Sequence, residues 1–195
     1  MKRRILHLSC ALLLAACGQQ QGESEETMSA TETTGMEEGE PSPAQETDSV
    51  RVDVRDAEGN TLGTVVLRDA DGGVQMTGAL TGLPPGQHGF HIHETGRCEP
   101  PSFKSAGGHF NPTGRKHGFD HPAGPHAGDL RNLQVVQDSS TVVSTTDSLV
   151  TLREGESALL DADGSALVIH AEPDDYITQP SGDSGDRIAC GVIAE

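Results

Sequence analysis

Seven residues able to ligate a metal fall in four short segments: His91-Ile92-His93, His109, the stretch from His117 through His126 to Asp129, and His170. Imidazole nitrogen and carboxylate oxygen suit borderline divalent metals. A chain that gathers both among Gly- and Pro-rich segments therefore has the donors for a metal site. The HxH pair also has a definite geometry. In an extended strand residues i and i+2 project to one face, so His91 and His93 point together while Phe90 and Ile92 turn the other way. Two imidazoles side by side on a strand can hold a metal in a fixed arrangement.

The elements that must position these donors read as all-β. Val50 to Arg55 alternates strictly, and Thr64 to Leu67 follows a Glu58-Gly59-Asn60 turn. Further strands are predicted over Val74–Leu80, His88–His93, Asn132–Val136, Thr141–Ser144, Leu149–Leu152, Ala166–Ala171 and Arg187–Ile193. They are separated by turn signals such as Asp71-Gly72-Gly73, Pro84-Pro85-Gly86 and Asp163-Gly164. No segment has helical periodicity with caps. Roughly eight short strands and two long loops predict a Greek-key β-sandwich or flattened eight-stranded barrel. The loops run from about Thr95 to Asp129 and from Asp174 to Asp186. A loop as long as the first is normally functional, and metal coordination would order it.

The first 48 residues read differently. Met1-Lys2-Arg3-Arg4 is a basic start, Ile5 to Ala16 an apolar run, and Leu14-Ala15-Ala16-Cys17 closes it. This is the pattern of a secretory signal over residues 1–16, too short to serve as a stop-transfer helix. Its end resembles the bacterial lipobox, which implies cleavage before Cys17 and lipidation of that residue. Residues 17–48 are rich in Gln, Glu, Ser, Thr, Gly and Pro. They cannot bury enough apolar surface to offset their ordering entropy, and they predict a disordered acidic tether holding a domain of residues 49–195 at a membrane. With Cys10 in the cleaved segment and Cys17 lipidated, Cys98 and Cys190 remain. In an exported domain they are most simply one disulfide, a two-cysteine metal site being the alternative. Closing so long a loop would contribute roughly 4–5 kcal/mol through the unfolded state.

Taken together, the motifs resemble those of the copper/zinc superoxide dismutases, in a bacterial lipoprotein form. The residues that carry the resemblance are Gly89-Phe90-His91-Ile92-His93-Glu94, Ser105-Ala106-Gly107-Gly108-His109-Phe110-Asn111-Pro112, Arg115-Lys116-His117-Gly118, His126-Ala127-Gly128-Asp129-Leu130 and Arg187-Ile188-Ala189-Cys190-Gly191. They appear in order across nearly all of residues 50–195. The resemblance implies copper on His91, His93, His109 and His170, and zinc on His109, His117, His126 and Asp129, with His109 bridging. It further implies that Asp174 supports His91 and His117, that Arg187 draws the substrate anion to the copper, and that Cys98 pairs with Cys190. The implied activity is dismutation of superoxide to dioxygen and hydrogen peroxide, with Arg187 and His109 as the catalytic residues. A copper-binding or copper-delivery envelope lipoprotein on the same fold is the alternative.

Charge sets the partners. The formal net charge is −17, more negative still once Lys2, Arg3 and Arg4 are removed. Such a field argues against nucleic acid and opposes an anionic substrate unless positive charge is concentrated near the site. Segment 177–186 carries acids and no Lys, so Lys104 or Lys116 is expected to help Arg187. His88, at a strand start, is expected to pack rather than ligate. His121 lies within the metal loop without matching the motif. The predicted location is the bacterial cell envelope or periplasm, lipid-anchored, facing superoxide produced outside the cytoplasm. A homodimer is left open.

Overall fold

The computed structural model describes residues 49–195. The expected signal peptide, the lipidation of Cys17 and the acidic tether lie outside the described residues. Among the described residues there are nine strands: β1 (Ser49–Asp56), β2 (Thr61–Ala70), β3 (Gly73–Thr81), β4 (Gly86–His88), β5 (Phe90–His93), β6 (Leu133–Val135), β7 (Ser140–Asp147), β8 (Ser165–His170) and β9 (Arg187–Ile193). The only helix among the described residues is a 3₁₀ turn over Lys104–Ala106. Seven antiparallel strands form one sheet in the order β5-β8-β9-β1-β2-β3-β7, and β4 pairs with β6 in a second.

The alternation in the sequence fixes which way each strand faces. On β1, Val50, Val52 and Val54 are buried while Arg51, Asp53 and Arg55 are exposed. Leu62, Val65 and Leu67 of β2 and Val74, Met76 and Leu80 of β3 extend the same interior. The small sheet closes the curl. The Val136 amide donates to Ser140 O at 2.9 Å and the Thr141 hydroxyl to Gln134 O at 2.8 Å, which ties β6 to β7. β4 runs through Gly89 straight into β5 at the far edge. Counting β4 and β5 as one bent strand, the result is the flattened eight-stranded barrel.

Two strand expectations need correction. The run His88–His93 is divided at Gly89, because its first part pairs with β6 and its second with β8. The predicted strand Leu149–Leu152 does not form, and a single bridge from Thr151 to Ala158 is all that remains. Val150 and Leu152 are buried as an apolar run should be. The Leu149 and Leu152 amides, however, donate to the carboxylates of Asp147 and Asp69, so no ladder partner is left for them.

β8 is buried on both faces. Leu167 and Ile169 enter the main core. Ala166 and Val168 pack with Phe103, Ala106 and Cys190 in a second cluster that seats the first long loop. The Cys98–Cys190 disulfide closes this cluster, with a Cα–Cα distance of 5.7 Å.

Asp147, at the end of β7, is only 6% exposed, and its Oδ2 has no hydrogen-bond partner. Burial pushes its carboxyl up to about 6 from the usual 3.8. The folded state therefore holds this proton more tightly than the unfolded chain. The stabilisation is complete below pH 4 and is lost as pH rises through about 6. Asp147→Asn keeps an oxygen for the Leu149 amide and removes the buried charge. It should raise the melting temperature at pH 7.5, by up to about 2–3 kcal/mol of stability, and change little at pH 4, as thermal denaturation at the two pH values would measure.

Candidate metal centre

β5 ends the large sheet, and two pieces of the first loop occupy its free edge. The Ile92 amide donates to Gly128 O, the Phe110 amide to Ile92 O and the Gly128 amide to Phe110 O, each at 2.8 Å. This pairing sets Asp129 opposite His91 and His109 opposite His93. Residues directly opposite one another project to the same face. Two residues of β5 and two of the loop thus gather their side chains on the side away from Phe90 and Ile92. His170 arrives from β8 on the other side, where a register shift between Ile169 and His170 re-aims the strand end.

All seven candidate ligands are brought together, in two groups that share one residue. His91, His93, His109 and His170 have donor atoms within 4.8 Å of one another, as do His109, His117, His126 and Asp129. Every one of these seven residues is buried. In the first group the inward nitrogens are His91 Nδ1, His93 Nε2, His109 Nε2 and His170 Nε2, and none has a hydrogen-bond partner. Leaving one buried polar atom unpaired costs about 1–3 kcal/mol. Four lone pairs converging without a proton between them are the donor set of a cation, and four imidazoles suit copper. In the second group His109 Nδ1, His117 Nδ1 and His126 Nδ1 lie 2.8, 3.0 and 3.3 Å from Asp129 Oδ1. Three imidazoles and a carboxylate are the donors of a tetrahedral zinc site.

In the four-histidine group the outward nitrogens are all occupied, which fixes the tautomers. His93 Nδ1–H donates to Gly107 O at 3.0 Å and His170 Nδ1–H to Gly185 O at 3.2 Å. Asp174 spans the two groups, its Oδ2 2.8 Å from His91 Nε2 and its Oδ1 3.0 Å from His117 Nε2. Supports of this kind orient ligating imidazoles and raise their basicity. Gly182 permits the arrangement, since a Cβ there would lie 1.8 Å from Asp174 Oδ1 and 2.7 Å from His117 Nε2.

The electrostatics of the two groups differ in sign. Burial, reinforced by neighbouring imidazoles, drives His91 down to about 3 and His170 to about 4, and takes His93 well below its usual range. His109 is lowered chiefly by burial, against the pull of Asp129. Burial also opposes charge on His117, but its hydrogen bonds to Asp129 and Asp174 outweigh that and push it up to about 9. Asp129 and Asp174 are held below the usual carboxylate range, since their hydrogen bonds to the histidines overcome burial.

Arg187 stands beside the four-histidine group. Its Nη1 donates to Phe103 O at 2.7 Å and its Nη2 to Gly107 O at 2.6 Å. It lines a cavity of about 220 Å³ together with His93, His109, His170, Pro180 and Ser181. A second cavity of about 430 Å³ shares Arg187 and Gly185 with the first and adds Ser102, Lys104 and the acid Asp186. Lys104 thus stands at the approach, whereas Lys116 lines neither cavity. His88 packs as expected, its ring nitrogens 2.7 Å from His170 O and 2.8 Å from Pro84 O. His121 belongs to neither group, and its Nδ1 accepts the Ala123 amide.

Three further contributors were given no role from the residues alone. The Glu94 carboxylate accepts the Gly108 amide next to His109. Asn132 exchanges two hydrogen bonds with the backbone of Asp174. Gln179 does the same with the backbone of His117. Only Glu94, adjoining the HxH pair, stood where a motif could point to it.

Fold and donors together define a β-barrel metalloprotein with two adjacent metal groups joined by one histidine. The family model for copper/zinc superoxide dismutase matches residues 61–193. Copper-zinc superoxide dismutase 2 of Aquifex aeolicus is 49% identical over 138 residues, covering 70% of this chain and 81% of that protein. The crystal structure of a superoxide dismutase-like protein from Bacillus subtilis aligns with a TM-score of 0.71 at 42% identity, over 73% of this chain and 97% of that one. Cu/Zn superoxide dismutase from Brucella abortus aligns with a TM-score of 0.63 at 30% identity, over 75% and 99%. The chain belongs to the copper/zinc superoxide dismutase family, an oxidoreductase family whose cofactors are copper and zinc.

Two measurements test the site as described. In the metal-free protein His117 is protonated below about pH 9 while His91 and His170 are neutral down to about 4. Zinc must therefore displace a proton at the mixed group, and its affinity there should fall about tenfold per pH unit below 9. The four-histidine group should keep its affinity for copper nearly constant from pH 8 to 5, as chelator-competition titrations would read. Asp174→Asn gives one of the two histidines an N–H where it needs an acceptor, and should weaken metal retention about 10–100-fold in the same titration.

Proposed function

We propose that this protein dismutates superoxide to dioxygen and hydrogen peroxide. The observation that carries the reading is the cavity lined jointly by His93, the shared His109, His170 and Arg187. His91, His93, His109 and His170 would hold copper. His109, His117, His126 and Asp129 would hold zinc. Bound copper supplies the one-electron redox chemistry, and two superoxide anions with two protons give one dioxygen and one peroxide.

The chain's own residues supply the rest. Phe103 O and Gly107 O hold the Arg187 head at the cavity, leaving its other N–H groups free to meet an anion. Against so negative a molecule, Arg187 and Lys104 are the charges available to concentrate an anionic substrate. Such steered association has this family as a standard example. His109 lines the cavity, with Nε2 unpartnered on the copper side and Nδ1 bonded to Asp129 on the zinc side, so this ring can hold a proton beside a bound anion and release it there. Asp174 keeps His91 and His117 in register, so neither group shifts without the other.

The signal-like segment, the Cys17 lipobox and the acidic residues 17–48 support an exported, lipid-anchored enzyme that protects the bacterial envelope from superoxide arising outside the cytoplasm. A copper-delivery protein would use the same four imidazoles but would have no use for an anchored Arg187 in the cavity. Arg187→Ala should lower the pulse-radiolysis rate constant about tenfold and flatten its salt dependence, with copper content unchanged by elemental mass spectrometry. Lys104→Glu should give a smaller loss in the same direction. Fully metal-loaded protein with no turnover above that of free copper would defeat the reading.

A further inference from the structure

Gln179 joins the two long loops at a point the mechanism above does not use. Its Oε1 accepts the His117 amide at 3.0 Å, and its Nε2 donates to His117 O at 2.9 Å and to Ile177 O at 3.0 Å. One planar carboxamide thus grips the backbone of a zinc-side histidine on both sides, as a neighbouring strand would. His117 is fully buried and fixed by Asp129 and Asp174, so its backbone is a firm anchor. The two residues after Gln179 are Pro180 and Ser181, which form the wall of the copper-side cavity facing His93, His109, His170 and Arg187. The segment folds back on itself through Gly182 N–H to Thr178 O at 2.7 Å and Asp175 N–H to Gly182 O at 2.9 Å. Gly182 then presses against Asp174 and His117. Gln179 therefore sits between a zinc-side ligand and the wall past which the substrate must move.

We propose that Gln179 is a positioning residue for substrate access, setting the Pro180–Ser181 wall by its grip on His117, so that filling of the zinc-side group is transmitted to the copper-side cavity. This rests on the assignment of copper and zinc given under the proposed function. Asp174 links the two groups through side chains, directly from ring to ring. Gln179 links one group to the channel through backbone, and its loss leaves all seven candidate ligands and Asp174 in place.

The test compares the wild type with Gln179→Ala, Gln179→Glu and a control in the same loop, Thr178→Val. Each is loaded with copper, with and without zinc. Azide is titrated against the copper absorption band as a small anionic probe, and metal content and the dismutation rate constant are measured alongside. In the wild type, removing zinc should weaken azide binding. Gln179→Ala with both metals bound should bind azide about three- to tenfold more weakly than wild type, and removing its zinc should then add little. Gln179→Glu keeps the acceptor for the His117 amide but loses the donor, and should fall between the two. Thr178→Val, which removes only a hydroxyl bond to Asp175 within the same loop, should lose far less than Gln179→Ala. Wild-type azide affinity in fully loaded Gln179→Ala would overturn the proposal. So would a loss that appears only because zinc has left the protein, or an equal loss in Thr178→Val. A wild type that binds azide at copper yet fails to dismutate superoxide would defeat the enzymatic reading while leaving this coupling to be judged on the azide data.

Discussion

Six imidazoles and two carboxylates withdrawn from water beside one strand edge set the terms for the rest of the molecule. Desolvation keeps the four rings of the copper-side group neutral, so their lone pairs all point at one another across a small space. Among the described residues nothing satisfies those inward nitrogens. The arrangement is held open from outside, by the carbonyls of Gly107 and Gly185 and by the carboxylates of Asp129 and Asp174, each bonded to an outward nitrogen. A cation completes what the hydrogen bonds alone leave unfinished. Breaking a buried polar network of this kind at any member leaves others unpaired, and for that reason it behaves as a unit.

That requirement explains the two long loops. A barrel edge offers only alternate side chains of one strand, here His91 and His93, and no single strand can surround a metal. The first loop returns to the β5 edge and adds two short pairings that deliver His109 and Asp129 opposite those histidines. The disulfide and the Phe103–Val168 cluster then seat the same loop on β8 and β9. Seating it also presents Phe103 O and Gly107 O to Arg187, so one loop positions both a bridging ligand and the cavity cation. The second loop supplies no ligand, yet it carries Asp174 and the cavity wall, and it is fastened to the first by the Gln179 carboxamide.

Charge is distributed in keeping with this division. The surface is strongly acidic, whereas the copper-side cavity is approached past Lys104 and Arg187. Asp186 lines the same approach as Lys104, which leaves Arg187, held at the cavity by Phe103 O and Gly107 O, as the cation nearest the four-histidine group. The energetic cost of burying a carboxyl without an ionic partner is met at Asp147, which burial and the nearby Asp129 push up and which caps the Leu149 amide.

Much of this was legible in the residues alone. Period-two alternation announced the strands of the barrel, because a side chain on a pleated strand has only two directions to face. HxH announced a shared ligand face for the same reason, and the ordered motifs from Gly89 to Gly191 pointed to the family. The sequence could not say that Gly89 divides one predicted strand between two sheets, nor that Leu149–Leu152 would spend its amides on the carboxylates of Asp147 and Asp69. Both outcomes depend on which distant strand offers a partner. The contributions of Gln179 and Asn132 were likewise invisible, since an exposed-looking Gln or Asn gains a role only when folding brings a peptide group within reach of its amide. Local periodicity and ligand chemistry are written in the chain itself. Which nitrogen of each ring stays free for a metal, and what grips the loops around it, was decided only when residues 83 and 62 positions apart, such as His91 with Asp174 and His117 with Gln179, were packed into hydrogen-bonding distance.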